Sequence, residues 1–314
     1  MDLELIKRRF DEACDEHVYE RAILKFNGVD GYDVYNPSVP FRVGNDEYIF
    51  GRVEKRELWA SSVTRLFVRT GKDEWSLHGY AQSYPVEDPF VSDINGELVL
   101  GGTHVKKYGG VMSGYCCYFY RGAPHDMLYF TSGPSGMKDI RLLDMKNGKI
   151  GVFSRPKRVF DNGEGSQVGF TIINDLNELV PDTVENAPYI KGLFGPGQWG
   201  GANNAYLLES GKIGVVGHTA FSQKRADGIT YQVYCTTAFV IDPLTLELLD
   251  NKLIATAASY PDTPAKKPHL ADCVFTSGIV RRPDGKCDLY GGVRDAFSGR
   301  VVIDYPFGDF GDIL

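Results

Sequence analysis

Short runs of apolar residues, broken by glycine, asparagine, aspartate or proline, dominate the chain from residue 46 onward. DEYIFGRVEK (46–55), TRLFVRTG (64–71), ELVLGGTHV (97–105), GYCCYFYRG (114–122), DMLYFTSG (126–133), KIGVFSRP (149–156), TYQVYCTTAFVI (230–241) and CDLYGGVRDA (287–296) are rich in β-branched or aromatic residues. Each predicts a strand. NGE, NGK, SGK and DGK, beginning at positions 95, 147, 210 and 284, predict hairpin turns. The spacing differs only near the N-terminus. There Leu3, Ile6, Phe10, Ala13 and Cys14 recur at helical intervals and predict a short helix within residues 3–20. No apolar helical stripe recurs between the strands, which excludes an alternating βαβ sheet and leaves an all-β sandwich, barrel or propeller.

A loose repetition favours the propeller. YNPSVPF (35–41), EDPFVSDINGELVLGG (87–102), KDIRLLDMKNGKIGVF (138–153), NNAYLLESGKIGVVGH (203–218) and DCVFTSGIVRRPDGKCDLYGG (272–292) share one plan: a polar residue, an apolar strand, a glycine turn, a second apolar strand. They begin about 50 to 70 residues apart, the length of a four-stranded blade with generous loops. Five units fill the chain, predicting a five-bladed β-propeller over residues 1–314 as a single domain with a short N-terminal helical segment. In that architecture the innermost strand ends converge on a central funnel, and polar groups distant in sequence meet there.

Composition narrows the function classes. The 36 glycines and the 18 tyrosines and 18 phenylalanines suit short strands joined by tight turns. A net charge of −7 disfavours nonspecific nucleic-acid or anionic-membrane partners. None of the six cysteines forms a CxxC pair, which fits buried free thiols in a reducing compartment. With a charged N-terminal segment and no run of about 18 apolar residues, the expected location is cytoplasmic.

No phosphate-cradling loop, dinucleotide fingerprint or metal-ligand spacing is present, so no metal or cofactor is expected. SGPSG (132–136) and GPGQWGG (195–201) read as tight turns, the latter also as a platform on which Trp199 stacks against a sugar. Asp33, Asp88, Asp139, Asp272 and Asp295 stand at or near strand edges. Each alone is an ordinary turn cap; several at comparable places suggest paired carboxylates of the kind that break glycosidic bonds. Arg65, Lys138, Arg141, the SRPKR stretch from Arg155 to Arg158, and Arg294 interrupt apolar or turn-rich segments and are candidates for an anion site. His104 and His218 each follow a glycine-containing strand and suit a sugar better than zinc. Asn203 and Asn204 would read hydroxyls.

VEDPFVSDINGELVLGG resembles the EDP-centred blade of the mannoside phosphorylases of glycoside hydrolase family 130. With YNPSVPF, GPGQWGGANNAYLLESGKIGVVGH and ADCVFTSGIVRRPDGKCDLYGGVRDA, nearly the whole chain resembles a sister group similar to the β-1,2-mannan glycosyltransferase-phosphorylases of glycosyltransferase family 108. The resemblance implies a five-bladed propeller and inverting transfer between β-1,2-linked manno-oligosaccharides and phosphate, mannose 1-phosphate or GDP-mannose. It also implies that Asp88 is the general acid, supported by Glu87. One departure stands out: Phe90 follows the motif's proline where family 130 enzymes usually carry arginine. The phosphate site is therefore assembled from Arg65, Lys138, Arg155 and Arg294. The sugar-binding set is Asp33, His104, Trp199, Asn203, Asn204, His218, Asp272 and Asp295. The competing readings are a β-mannoside hydrolase of the same propeller class and a non-catalytic glycan-binding propeller.

Overall fold

The computed structural model describes residues 2–58, 60–160 and 163–314, excluding the side chains of 158–160 and 163–165. Five blades of mainly antiparallel strands follow one another along the chain as a β-propeller, as the repetition predicts. Blade one runs outward from Asp33–Tyr35 through Asp46–Glu54, Val63–Gly71 and Glu74–Leu77, with Lys25–Asn27 added in parallel at its rim. Blade two comprises Glu87–Ile94, Glu97–Tyr108, Val111–Ala123 and Asp126–Ser132. Blade three has Arg141–Asp144, Ile150–Ser154 and Gly169–Ile173, beside a separate hairpin of Lys157–Phe160 and Gly163–Ser166. Blade four comprises Gln198–Leu207, Ile213–Lys224, Thr230–Ile241 and Leu248–Ala255.

Blade five shows how the ring closes. Val274–Arg281, Lys286–Val293 and Phe297–Asp304 come from the C-terminal part of the chain, and Val18–Ile23 supplies the outer strand. This corrects the N-terminal expectation: the helices end at His17 (Leu3–Glu12, then Cys14–His17), and 18–23 is strand. The exposed edge of Phe297–Asp304 offers a ladder of backbone partners that local helical spacing cannot match. Apolar side chains fill the seams between blades, as where Phe90, Phe119, Ile140 and Val152 join blades two and three. The turn at Asn95–Gly96 takes φ of 54° and 84°, which those two residue types accommodate best. Among the described residues no helix is long and apolar enough to cross a membrane.

One buried cation fastens this closure. Arg300, 2% exposed, bonds Glu20 at 2.5 Å on the N-terminal strand, Asp73 at 2.5 Å in blade one and Asp288 at 2.7 Å in blade five. Arg300→Met would leave Asp73 unpaired among the described residues, while Glu20 keeps Lys72 at 2.7 Å and Asp288 keeps Arg282 at 3.1 Å, and a fall in unfolding free energy of about 1–3 kcal/mol is expected by chemical denaturation. Lys72 and Arg300 also hold the Glu20 carboxyl down at about 2, against an ordinary 4.5. A depressed carboxyl stabilises the fold above its unfolded value, so that contribution is lost as the pH falls from about 4.5 towards 2.

Candidate active site

A cavity of about 610 Å³ receives side chains from every blade. Blade one gives Tyr35, Asn36 and Arg52; blade two gives Glu87, Asp88 and Thr103; blade three and its hairpin give Arg155 and Ser166, with Lys138 just before them. Trp199, His218 and Tyr234 come from blade four, and Phe275 and Asp295 from blade five.

Backbone geometry explains why the chain places Asn or Asp where the blades begin. Asn36, Asp88 and Asp139 all take left-handed conformations, with φ of 45°, 52° and 58°, and Asp295 does so in a later turn at 54°. Asn and Asp tolerate this region better than other side chains bearing a Cβ. At Asp88 a register shift between Glu87 and Phe90 breaks the ladder and turns the side chain out of the strand. The turn that a strand edge needs and the carboxyl that a reaction needs thus coincide in one residue.

The acid sits in a charged cluster. Asn36 Nδ2 donates to Asp88 Oδ1 at 2.7 Å, and Arg52 donates to the same oxygen at 3.0 Å. Arg52 also bonds Glu87 at 3.0 Å and Ser62 at 3.0 Å, and its guanidinium lies 4.6 Å from the centre of the Tyr35 ring. Behind it, Glu54 accepts from Tyr35 at 2.5 Å and pairs with Lys266. Both hydrogen bonds to Asp88 fall on Oδ1, and Oδ2 has no hydrogen-bond partner among the described residues. Burial pushes the Glu87 carboxyl up, with the charge of Asp88 adding to the effect and Arg52 opposing it. Asp295 is likewise raised, first by burial and then by the charge of Asp88, against Arg52. Two carboxyls of the cavity, Glu87 and Asp295, are thus pushed towards the protonated form.

Blade three supplies the cations. Arg155 bonds Asp139 at 2.8 Å and the Gly200 carbonyl at 2.5 Å. Burial pushes Asp139 up, but Arg155, Lys138 and Arg141 outweigh it and hold this carboxyl below its usual range. Lys138 has no ion pair within 4.0 Å among the described residues. Burial lowers its ammonium, yet the charges of Asp139 and Asp88 prevail and raise it, so it stays protonated. His218 is the reverse: burial, then Arg155, Lys138 and Arg141, drive it well below its ordinary value despite Asp139. Its Nδ1 lies 2.7 Å from the Asn203 amide oxygen and carries the proton. Nε2 is then a buried acceptor with no partner among the described residues.

Of the residues singled out in the sequence, Glu87, Asp88, Lys138, Arg155, Lys157, Trp199, His218 and Asp295 line the cavity. Asn203 lies behind it, between His218 and Arg141. Arg65 is on the third strand of blade one, and Arg294 is bound to Asp262 at 2.5 Å and to the Ala271 carbonyl at 2.9 Å; neither lines the cavity. Asp33 is engaged by Arg56 at 2.7 and 2.8 Å, Asp272 by Arg225, and Asn204 by Tyr206 at 3.1 Å. His104 bonds the Pro85 carbonyl at 2.8 Å and stacks on Tyr118. The side chain of Arg158 lies outside the described residues. Phe90 is buried beneath Gly101, where an added Cβ would meet its ring at 2.1 Å. Sequence reasoning overlooked Asn36, Arg52, Lys266 and Tyr234. Asn36 occupies the place in its repeat that Asp88 occupies in the next, and Arg52 interrupts an apolar run; Lys266 and Tyr234 carry no such signal.

The model of a family described as "Protein of unknown function (DUF1861)" matches residues 10–309. The chain belongs to this family. A search of curated proteins gave no match. Among solved structures, the chain is similar to a mannose phosphorylase from Leishmania mexicana in complex with phosphate ion, with 45% identity over 99% of this chain and 96% of that one and a TM-score of 0.94. It is also similar to a GDP-Man-dependent mannosyltransferase from the same organism, with 45% identity over 100% and 98% and a TM-score of 0.93. A β-1,2-mannobiose phosphorylase from Listeria innocua shares the fold at 13% identity over 88% and 91%, with a TM-score of 0.63.

Proposed function

We propose that this DUF1861 protein is an inverting β-mannoside phosphorylase and mannosyltransferase. It acts on β-1,2-linked manno-oligosaccharides, with phosphate as acceptor in one direction and mannose 1-phosphate or GDP-mannose as donor in the other. The observation that carries the proposal is one cavity combining Asp88 with the buried cations Lys138 and Arg155. It occurs in a chain 45% identical to a mannose phosphorylase seen with phosphate ion. The cytoplasm is the proposed compartment, in keeping with six cysteines that are all buried as free thiols.

In this reading Lys138 and Arg155 hold phosphate, and the neutral His218 accepts a hydrogen bond from a phosphate or sugar hydroxyl. Arg65 and Arg294 lack the cavity position that would support a place in the same clamp. A phosphate oxygen bonds to the anomeric carbon as the bond from that carbon to the glycosidic oxygen breaks on the opposite face. The departing oxygen takes a proton that Asp88 supplies, directly or through a sugar hydroxyl, while Lys138 and Arg155 stabilise the anion in line. Arg52 and Asn36 fix Oδ1, which leaves Oδ2 for the proton. Glu87 supports Asp88 through its shared partner Arg52, Trp199 offers a ring to the sugar, and Asp295 hydrogen-bonds a sugar hydroxyl.

Hydrolysis would need a second, ionised carboxylate to activate water. Asp295 sits in the cavity, but its upward shift favours the protonated form and opposes that role. Asp295→Asn, which keeps a neutral hydrogen-bonding group, is accordingly expected to retain more activity than Asp295→Ala; equal losses in kcat/KM would count against this assignment. The proposal itself is tested by incubating the protein with β-1,2-mannobiose with and without inorganic phosphate. Mannose 1-phosphate formed only in the presence of phosphate is expected. Free mannose released at the same rate without phosphate would replace phosphorolysis by hydrolysis.

A further inference from the structure

Blade two carries a hairpin that outgrows its sheet. The inner strand ends at Glu87, which pairs with Thr103, yet the next two strands continue to a turn at Gly109–Gly110. Residues 104–114 therefore project beyond the strand that carries the acid. Pairing of Val105 with Tyr115 and of Lys107 with Met112 gives the projection two faces. Thr103, Val105, Met112 and Tyr115 all line the cavity, so one face is its wall. Lys107 Nζ bonds Ser61 Oγ at 2.6 Å, tying the projection to the blade-one loop whose Ala60 lines the same cavity. Near the tip, Tyr108 is 85% and Val111 70% exposed, and Met112 reaches from the cavity wall into solvent at 41%.

The position of the acid gives this wall a direction. The hairpin continues the strand paired with Glu87, next to Asp88, the residue that delivers the proton to the departing oxygen in the reading above. In an inverting displacement the anion and the departing oxygen occupy opposite faces of the reacting sugar. The hairpin side is then the side of the departing sugar. Sugar rings present apolar C–H faces, and an aromatic ring or thioether at a cavity mouth suits them.

We propose that the 104–114 hairpin is an acceptor-chain platform: Val105, Met112 and Tyr115 bind the sugar units beyond the one joined to the scissile bond and set the preference for chain length. This rests on the mannoside reading above. The variant Met112→Ser changes a cavity-wall side chain that is 41% exposed and is compatible with folding, which a thermal melt within a few degrees of the parent checks. In the phosphorylase assay, kcat/KM for mannotetraose is expected to fall about tenfold or more. The value for mannobiose and the KM for phosphate should stay within about twofold. Equal losses for both lengths, or none, would overturn the platform. Calorimetric binding of mannotetraose and mannobiose to parent and variant needs no turnover. Length-selective weakening there supports the platform even if phosphorolysis is absent, whereas unchanged or length-independent binding overturns it. Absence of mannose 1-phosphate with the parent bears instead on the catalytic reading.

Discussion

Asp88→Asn is expected to lower kcat for phosphorolysis by about 10²- to 10⁴-fold, the usual contribution of a positioned general acid. KM for both substrates should change little. The amide oxygen can still accept from Asn36 and Arg52, which now meet at Asp88 Oδ1 at 2.7 and 3.0 Å, so the cavity keeps its shape. What is lost is the transferable proton. Substrates whose leaving oxygen needs no proton isolate that loss: a mannoside of a strongly acidic phenol should recover most of the rate. An unchanged rate with β-1,2-mannobiose would remove Asp88 from the reaction, whereas a non-catalytic glycan-binding propeller would show no turnover in either protein and unchanged glycan binding in the variant.

Lys138→Met is the second large effect, read in KM for phosphate. A hydrogen bond to a charged partner is worth about 1.5–3 kcal/mol, roughly a 10- to 150-fold weakening. The choice of residue matters. Arg155 is the nearest cation to the buried Asp139, at 2.8 Å against 3.8 Å for Arg141, and its removal would cost stability as well as anion binding. Lys138 has no ion pair within 4.0 Å among the described residues, so its removal separates anion binding from folding. The unfolding midpoint should hold while KM for phosphate rises. A rise confined to KM for the oligosaccharide would move the anion site elsewhere.

How far the sequence could be read depended on whether local chemistry and global geometry agree. The five repeats were legible because each blade's inner strand must begin with a polar residue at the funnel and then turn apolar between neighbouring blades. Asp88 and Asp139 were legible for the same reason, their left-handed backbone and their polarity selecting one residue type. The N-terminal boundary was not, because Val18–Ile23 becomes a strand only through a partner 275 or more residues away at Phe297–Asp304. Arg65 and Arg294 matched Lys138 and Arg155 as arginines and lysines in apolar settings. Strand position and the Asp262 pairing distinguish them, and neither is visible in composition. Lys266 reaches the cavity from a loop, where no periodicity marks it.

The central claim is in-line phosphorolysis with inversion, and the configuration of the first-formed product tests it most directly. The protein would be incubated with β-1,2-mannobiose and inorganic phosphate while ³¹P and ¹H NMR spectra are recorded through the first turnovers. Attack of phosphate opposite the leaving oxygen predicts α-mannose 1-phosphate and mannose in equal amounts. Formation of β-mannose 1-phosphate, or of free mannose alone with phosphate unconsumed, would contradict the account.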